Sequence, residues 1–324
     1  MTRKILVTGR LPEEILSVLA ERFEVESQKE DRPMERQRLL DAVGDRDGLL
    51  CMITDSIDEG LLSHAPRLKM IANMGVGYNN IDVRAATARR IPVSNTPGVL
   101  TEATADLAFT LLLAIARRVV EGDRRVRAGK FTFWAPFLFL GQEVSGKTLG
   151  IIGMGRIGKA VARRARGFDM PVIYHNRSRI ESAEEDRLGT GYVSMEELLR
   201  KSDFVSLHVP LTAETRHLIG RRELALMKPS AYLINTSRGP AVDEQVLLAA
   251  LQAGQIAGAA LDVYEHEPAL TPGLTLLDNV ILLPHVGSAT LETRTRMASM
   301  AAQNLIAGLS GQTPPNLINP EVLS

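Results

Sequence analysis

Cysteine, aromatic residues, net charge and long apolar runs are all scarce in this chain, and each scarcity closes off a class of protein. One cysteine among 324 residues cannot form an internal disulfide. No grouping of His and Cys has zinc-ligand spacing either, so no disulfide scaffold and no metal site is expected. That cysteine, Cys51, sits in the apolar run Gly48-Leu-Leu-Cys-Met-Ile, which reads as a strand burying a small hydrophobe. Lys plus Arg and Asp plus Glu both number 38, so no global field draws the chain to nucleic acid or anionic lipid. The longest apolar stretch, Leu107 to Ala116, falls well short of the ~20 residues that span a bilayer. The amino-terminal apolar stretch is too short for a signal peptide and runs straight into a strand pattern. Aromatics amount to only 4%, yet 45% hydrophobic and 23% charged residues make an ordinary enzyme composition rather than a disordered or fibrous one. The expected setting is reducing and cytoplasmic, with a small-molecule partner and neither nucleic acid nor membrane.

What is present is an alternation. Short β-branched and leucine-rich runs alternate with helical patterns throughout, which predicts βα units and parallel sheets, and the length suits two domains of ~150 residues with a cleft. In a first series, Lys4 to Thr8, Gly48 to Thr54, Leu68 to Asn73 and Ile91 to Ser94 read as strands. Ile15, Leu19 and Phe23 mark one face of a helix between the first two, and Asp82 offers cap chemistry for a helix running to Arg90. One long helix is expected from about Glu102 to Val126. A second series follows, with strands at Thr148 to Gly153, Pro171 to His175, Phe204 to His208, Ala231 to Asn235, Ile256 to Asp262 and Val280 to Leu283. A final helix, about Leu291 to Leu309, is expected to return to the first domain. No repeat or low-complexity segment stands out.

The first strand of the second series leads into Gly153-Met-Gly155-Arg156-Ile157-Gly158 and then a helical pattern, which is GxGxxG in the strand-to-helix context that gives it meaning. Gly153 allows the tight turn, Gly155 admits a pyrophosphate to the backbone, and Gly158 lets helix and strand pack closely. The free amides and positive dipole end of the helix then face the phosphates. The next strand ends in Asn176-Arg177-Ser178-Arg179, about 20 residues on, where NAD enzymes place an acid. Two guanidiniums and a hydroxyl suit a 2′-phosphate instead, so NADP(H) is expected to be preferred, with NAD(H) as the lesser cofactor.

At this point the sequence resembles the D-isomer-specific 2-hydroxyacid dehydrogenase family, and within it the glyoxylate/hydroxypyruvate reductases. The resemblance runs through Asn73-Met-Gly-Val76-Gly77-Tyr-Asn-Asn-Ile-Asp82, Asn95-Thr-Pro-Gly-Val-Leu100-Thr-Glu-Ala-Thr104 and Gly146 to Gly158. It continues through Leu207-His208-Val209-Pro210-Leu-Thr212, Ile234-Asn-Thr236-Ser-Arg238-Gly, Leu261-Asp262-Val-Tyr-Glu-His-Glu267-Pro and Pro284-His285-Val-Gly287-Ser288. The last three motifs each fall at or just beyond the carboxyl end of an expected strand, the side where ligands bind in open α/β sheets.

Reduction of a 2-oxo acid requires a cation for the carboxylate and a proton donor for the ketone oxygen. Arg238 offers the planar two-point contact that lysine cannot copy. His285 can protonate the developing alkoxide, and Glu267 beside it favours the imidazolium and fixes the ring. The resemblance implies the same three roles. It further implies that the amides of Val76 and Gly77 bind the substrate carboxylate, that Thr104 lies near the nicotinamide, that Asp262 contacts the carboxamide, and that Thr236 and Gly287 line that side. His208, Val209, Pro210 and Thr215 are expected along the cofactor, and Met52 and Leu100 as pocket walls. The only tryptophan, Trp134, lies in Phe131-Thr-Phe-Trp-Ala-Pro-Phe-Leu-Phe-Leu, too apolar for water. The resemblance implies a homodimer in which this segment reaches the neighbouring subunit's active site.

The expected architecture is therefore α/β, with a flavodoxin-like substrate or lid domain of residues 1–98 and 288–324 into which a Rossmann-type domain of 99–287 is inserted. The expected reaction is NADPH-dependent reduction of glyoxylate or hydroxypyruvate to a D-2-hydroxy acid. Rival readings are a related dehydrogenase of 3-phosphoglycerate, a D-lactate analogue or phosphite, and a cofactor-sensing binding protein, which turnover would separate.

Overall fold

In the computed structural model, which describes residues 2–323, five short strands form one parallel sheet. They are β1 (Lys4–Val7), β2 (Glu24–Ser27), β3 (Gly48–Met52), β4 (Met70–Met74) and β5 (Val93–Ser94), in the spatial order β2-β1-β3-β4-β5. This is the flavodoxin-like winding, with a reversal beside β1. Successive side chains point to opposite faces, and both faces are covered. Ile5 and Val7 pack with Leu19, Phe23 and the final helix, Leu291–Leu309, through Ala298, Ala301, Leu305 and Leu309. Leu6, Leu49 and Cys51 pack on the other side with Leu39, Val43 and Leu61. Cys51 is free and fully buried, which pushes its thiol well above the usual range.

Seven further strands make a second parallel sheet. These are β6 (Leu149–Ile152), β7 (Val172–His175), β8 (Thr190–Tyr192), β9 (Phe204–Leu207), β10 (Tyr232–Asn235), β11 (Gly258–Leu261) and β12 (Val280–Leu282). Their order, β12-β11-β10-β9-β6-β7-β8, reverses between β6 and β9, and the carboxyl ends of those two strands border the crevice where a doubly wound sheet binds its ligand. The two sheets belong to two units, Met1–Leu100 with Ala289–Ser324, and Thr101–Ser288.

Three features depart from the expectation. The edge strands β2 and β8 carry the polar sequences Glu-Val-Glu-Ser and Thr-Gly-Tyr, without the apolar run that marks a buried strand. The helix expected over 102–126 is two helices, Thr101–Ala116 and Val119–Arg127. Arg118 breaks it with φ +54°, held by a two-point contact to Glu121 at 2.8 and 2.6 Å and by donation to the Leu140 carbonyl at 3.1 Å. Asp82 does cap its helix, Val83–Ala88, accepting from the Ala85 amide at 2.9 Å. No helix among the described residues is long and apolar enough to cross a membrane.

Candidate active site

The turn after β6 is built for close approach. Gly153 has φ +101°, and a Cβ there would lie 2.5 Å from the His208 carbonyl oxygen, so the chain passes tightly between the ends of β6 and β9. A Cβ on Gly158 would lie 2.2 Å from the Gly153 oxygen, so only glycine lets the helix Arg156–Ala165 start this close to the strand. At Gly155 a Cβ would meet nothing within 4 Å, and the helix start carries no side-chain cap. Uncapped amides beside open space suit a pyrophosphate. Arg156 is exposed at the helix start, and Ile157 packs partly against the core. Asn176 accepts from the Met154 amide at 2.7 Å, so it braces this turn.

The next loop divides its cations. Arg177 and Ser178 are exposed, whereas Arg179 donates to Glu185 through Nε at 2.9 Å and Nη2 at 2.6 Å. Glu185 is buried and also accepts from the Tyr174 hydroxyl. At the end of β9, His208 Nε2 pairs with the Ser206 hydroxyl at 2.9 Å, and its buried Nδ1 has no partner. Burial pushes this imidazole down to about 3, which keeps it neutral. Val209 is half-buried and Pro210 exposed, and Thr215 accepts from the Thr212 amide while donating to the Pro210 carbonyl at 2.6 Å. Thr236, just after β10, is buried with an unpartnered hydroxyl. Two buried polar atoms left unsatisfied beside a glycine turn and a free helix start fit a bound dinucleotide, which would supply their partners.

The chemical side chains stand at the carboxyl ends of β10, β11 and β12. Arg238 follows β10 in a loop knotted by Asn235, whose Oδ1 accepts from the Ser237 amide at 3.0 Å and whose Nδ2 donates to the Arg238 carbonyl at 2.9 Å. The guanidinium is half-buried and donates to the Ser237 carbonyl at 2.7 Å. Burial lowers its pKa, which Glu267 opposes. Beyond β11, Glu267 accepts from the Tyr264 amide through Oε1 at 2.9 Å and meets His285 Nδ1 through Oε2 at 2.8 Å. Burial pushes this carboxyl up, but His285, the Tyr264 amide and Arg238 outweigh it and hold the group below its ordinary value. His285 adopts φ +53°, a left-handed conformation that a non-glycine residue holds only where its surroundings enforce it.

The enforcing group is Asp262. Its carboxylate is buried and accepts from the Val286 amide at 2.7 Å and the Gly287 amide at 2.8 Å, the two residues after His285. Burial raises its pKa. Gly287 lies against Asp262 and Thr104, and a Cβ there would sit 3.2 Å from the Asp262 Oδ2 and 3.5 Å from the Thr104 Cγ2. The structure thus brings together Arg238, Glu267 and His285, with Asp262, Gly287 and Thr104 packed beside the His285 loop.

Within the first unit, the loop after β4 has its carbonyls spoken for. Asn95 donates to the Val76 carbonyl at 2.8 Å and Asn73 to the Gly77 carbonyl at 3.0 Å, while the Val76 and Gly77 amides make no hydrogen bond among the described residues. Met52 lies against Gly9, and Leu100 is buried. Trp134 is 76% exposed, with Phe131, Phe133, Phe137 and Leu140 exposed beside it. Sequence reasoning missed Asn73, Asn95, Asn235 and Glu244, whose partners are set by loop geometry rather than by spacing. No group of three or more His, Cys, Asp or Glu among the described residues is arranged to hold a metal ion.

Residues 109–287 match the family described as D-isomer specific 2-hydroxyacid dehydrogenase, NAD binding domain. A glyoxylate reductase from Thermococcus litoralis is 52% identical, over 100% of this chain and 99% of its own length. A solved protein from Thermus thermophilus superposes with a TM-score of 0.90 at 46% identity, covering 97% of this chain and 99% of the other. An NADPH-dependent glyoxylate/hydroxypyruvate reductase from Sinorhizobium meliloti, solved with NADP and malonate, superposes with a TM-score of 0.87 at 35% identity, covering 99% and 98%.

Proposed function

The chain belongs to the D-isomer specific 2-hydroxyacid dehydrogenase family, and from that premise we propose that it reduces small 2-oxo acids, glyoxylate and hydroxypyruvate foremost, to D-2-hydroxy acids. The observation that carries this reading is the joined set Arg238, Glu267 and His285 at one edge of the seven-stranded sheet, with His285 Nδ1 held by Glu267 at 2.8 Å. That bond leaves Nε2 as the nitrogen that meets substrate. Arg238 binds the carboxylate by a planar two-point contact and so fixes which carbonyl face is presented. As charge grows on the carbonyl oxygen, His285 Nε2 hands it a proton, and Glu267 stabilises the imidazolium that delivers it. A bound nicotinamide supplies the hydride. Asp262 keeps the His285 loop in register throughout.

The cofactor preference we propose is NADP(H) over NAD(H), supported by Arg177 and Ser178 exposed after β7 in a loop, residues 176–179, that carries no acid of its own to repel a 2′-phosphate. The relative described as NADPH-dependent and solved with NADP supports the same reading. A homodimer through the exposed segment around Trp134 and a cytoplasmic setting belong to this proposal. Its test is the initial rate of NADPH and NADH oxidation with glyoxylate, hydroxypyruvate, pyruvate and 2-ketoisocaproate, beside His285→Ala. Expected are fastest NADPH oxidation with the two smallest acids and a loss of about 10²- to 10⁴-fold in the variant. No turnover with any of the four acids would overturn the proposal.

A further inference from the structure

The loop that carries Glu267 is fixed by a carboxylate that stands outside the chemistry. Glu244 opens the helix Glu244–Gln252 and is 2% exposed. Its Oε1 accepts from the Glu265 amide at 2.5 Å and its Oε2 from the Thr271 hydroxyl at 2.8 Å. Both oxygens of one buried carboxylate are therefore committed to a single loop, on either side of Glu267. A buried charge is unfavourable unless hydrogen-bonded, and the first turn of a helix is where a negative charge is best tolerated.

The same short segment controls the other side of the site. Gly239 lies so close to this loop that a Cβ would be 1.8 Å from the Tyr264 carbonyl carbon, and Arg238 is its neighbour. Residues 238–244 thus carry Arg238 directly and hold Glu267 through Glu244 and through the Gly239–Tyr264 contact. Glu267 in turn holds His285.

We infer that Glu244 is a positioning residue for the reduction: its carboxylate sets the place of Glu267, and through it the ring of His285, relative to a substrate carboxylate on Arg238. This rests on the reading of Glu267 and His285 as the proton-handling pair. A displacement of about 1 Å at such a pair costs on the order of 100-fold in rate, without any change in what binds.

Three variants test it, each assayed for kcat and KM with NADPH and glyoxylate, for NADPH affinity by fluorescence, and for exchange of the Glu265 amide. Glu244→Ala is expected to lower kcat about 10- to 100-fold, while KM for glyoxylate and NADPH affinity stay within about threefold. Its Glu265 amide should exchange fast. Glu244→Gln should recover kcat to within about threefold of native, because its amide oxygen accepts from Glu265 and its NH2 donates to the Thr271 hydroxyl. Thr271→Val removes one of the two bonds without touching the helix, so it should fall between native and Glu244→Ala, and it carries the test if Glu244→Ala does not fold. Native kcat in Glu244→Ala or Thr271→Val, a Gln variant as impaired as the Ala one, or a matching loss of NADPH affinity would each overturn the inference. His285→Ala separates the two levels. If it keeps full turnover, or the native chain has none, the reading of the proton-handling pair fails and this inference with it. If it is inactive while Glu244→Ala keeps native kcat, only this inference fails.

Discussion

Arg179 spends its guanidinium on Glu185, while Arg177, two residues earlier, is exposed with Ser178 in the same loop. Equal charges at nearly equal positions thus meet different partners, and their replacements should separate. Arg177→Ala is expected to raise the KM for NADPH by about tenfold relative to that for NADH, the scale of one lost charge-assisted hydrogen bond. Arg179→Ala should leave that ratio nearly unchanged and lower the thermal midpoint, since Glu185 keeps its burial and loses its cation. Arg179 and the Tyr174 hydroxyl hold the Glu185 carboxyl below its ordinary value, more than burial raises it. A carboxyl depressed in the folded state contributes stability above its unfolded pKa and loses it as pH falls through the folded one. The gap in midpoint between native and Arg179→Ala should therefore be full at neutral pH and close in acid, which scanning calorimetry at several pH values reads directly. A gap unchanged down to strongly acid pH would mean that the tie contributes nothing ionic.

The glycine turn before the helix Arg156–Ala165 separates fold from binding within one element. Gly158→Ala would bring a methyl to 2.2 Å from the Gly153 oxygen, so helix and strand must part, at about 1 to 3 kcal/mol for such overpacking. Gly155→Ala meets nothing within 4 Å and fills only the space over the helix start. The first variant is expected to lose several degrees of thermal midpoint together with NADPH affinity, the second to lose affinity alone. A Gly155→Ala chain that binds NADPH as well as native would show that no pyrophosphate approaches there. This turn was legible in the sequence because strand, glycines and helix are contiguous, as were ten strands whose apolar runs are buried on both faces. The edge strands β2 and β8 were not, because a half-exposed strand needs no apolar run. Nor was the break at Arg118, where the helical pattern continues across a left-handed residue held by Glu121 and Leu140. Arg238, Glu267 and His285 could be singled out because each follows a strand of recognisable pattern. Their supports, Asp262 on the His285 loop and Glu244 on the Glu267 loop, act across 25 and 21 residues of chain, and no spacing rule reaches that far.

At the scale of the molecule, the feature the single chain leaves unexplained is the segment around Trp134. Phe131, Phe133, Trp134, Phe137, Leu138 and Leu140 are between 39% and 84% exposed, on a chain whose other apolar residues are largely packed. Each large apolar side chain gains about 1.5 to 3 kcal/mol on full burial, and association of two chains costs about 4 to 15 kcal/mol in lost freedom. Six such side chains from each of two copies are enough to carry a dimer, whereas one exposed tryptophan would not be. Because the chain has a single tryptophan, its emission reports this segment and nothing else. At micromolar concentration the protein is expected to sediment as a dimer with blue-shifted emission, and dilution to the monomer should shift that emission to the red. Replacing Phe133 and Phe137 with Ser should produce the red-shifted monomer at every concentration while leaving NADPH affinity within about twofold, since neither residue touches the glycine turn. A native chain that sediments as a monomer with tryptophan emission already at the wavelength of free indole in water would mean that no second copy covers the segment.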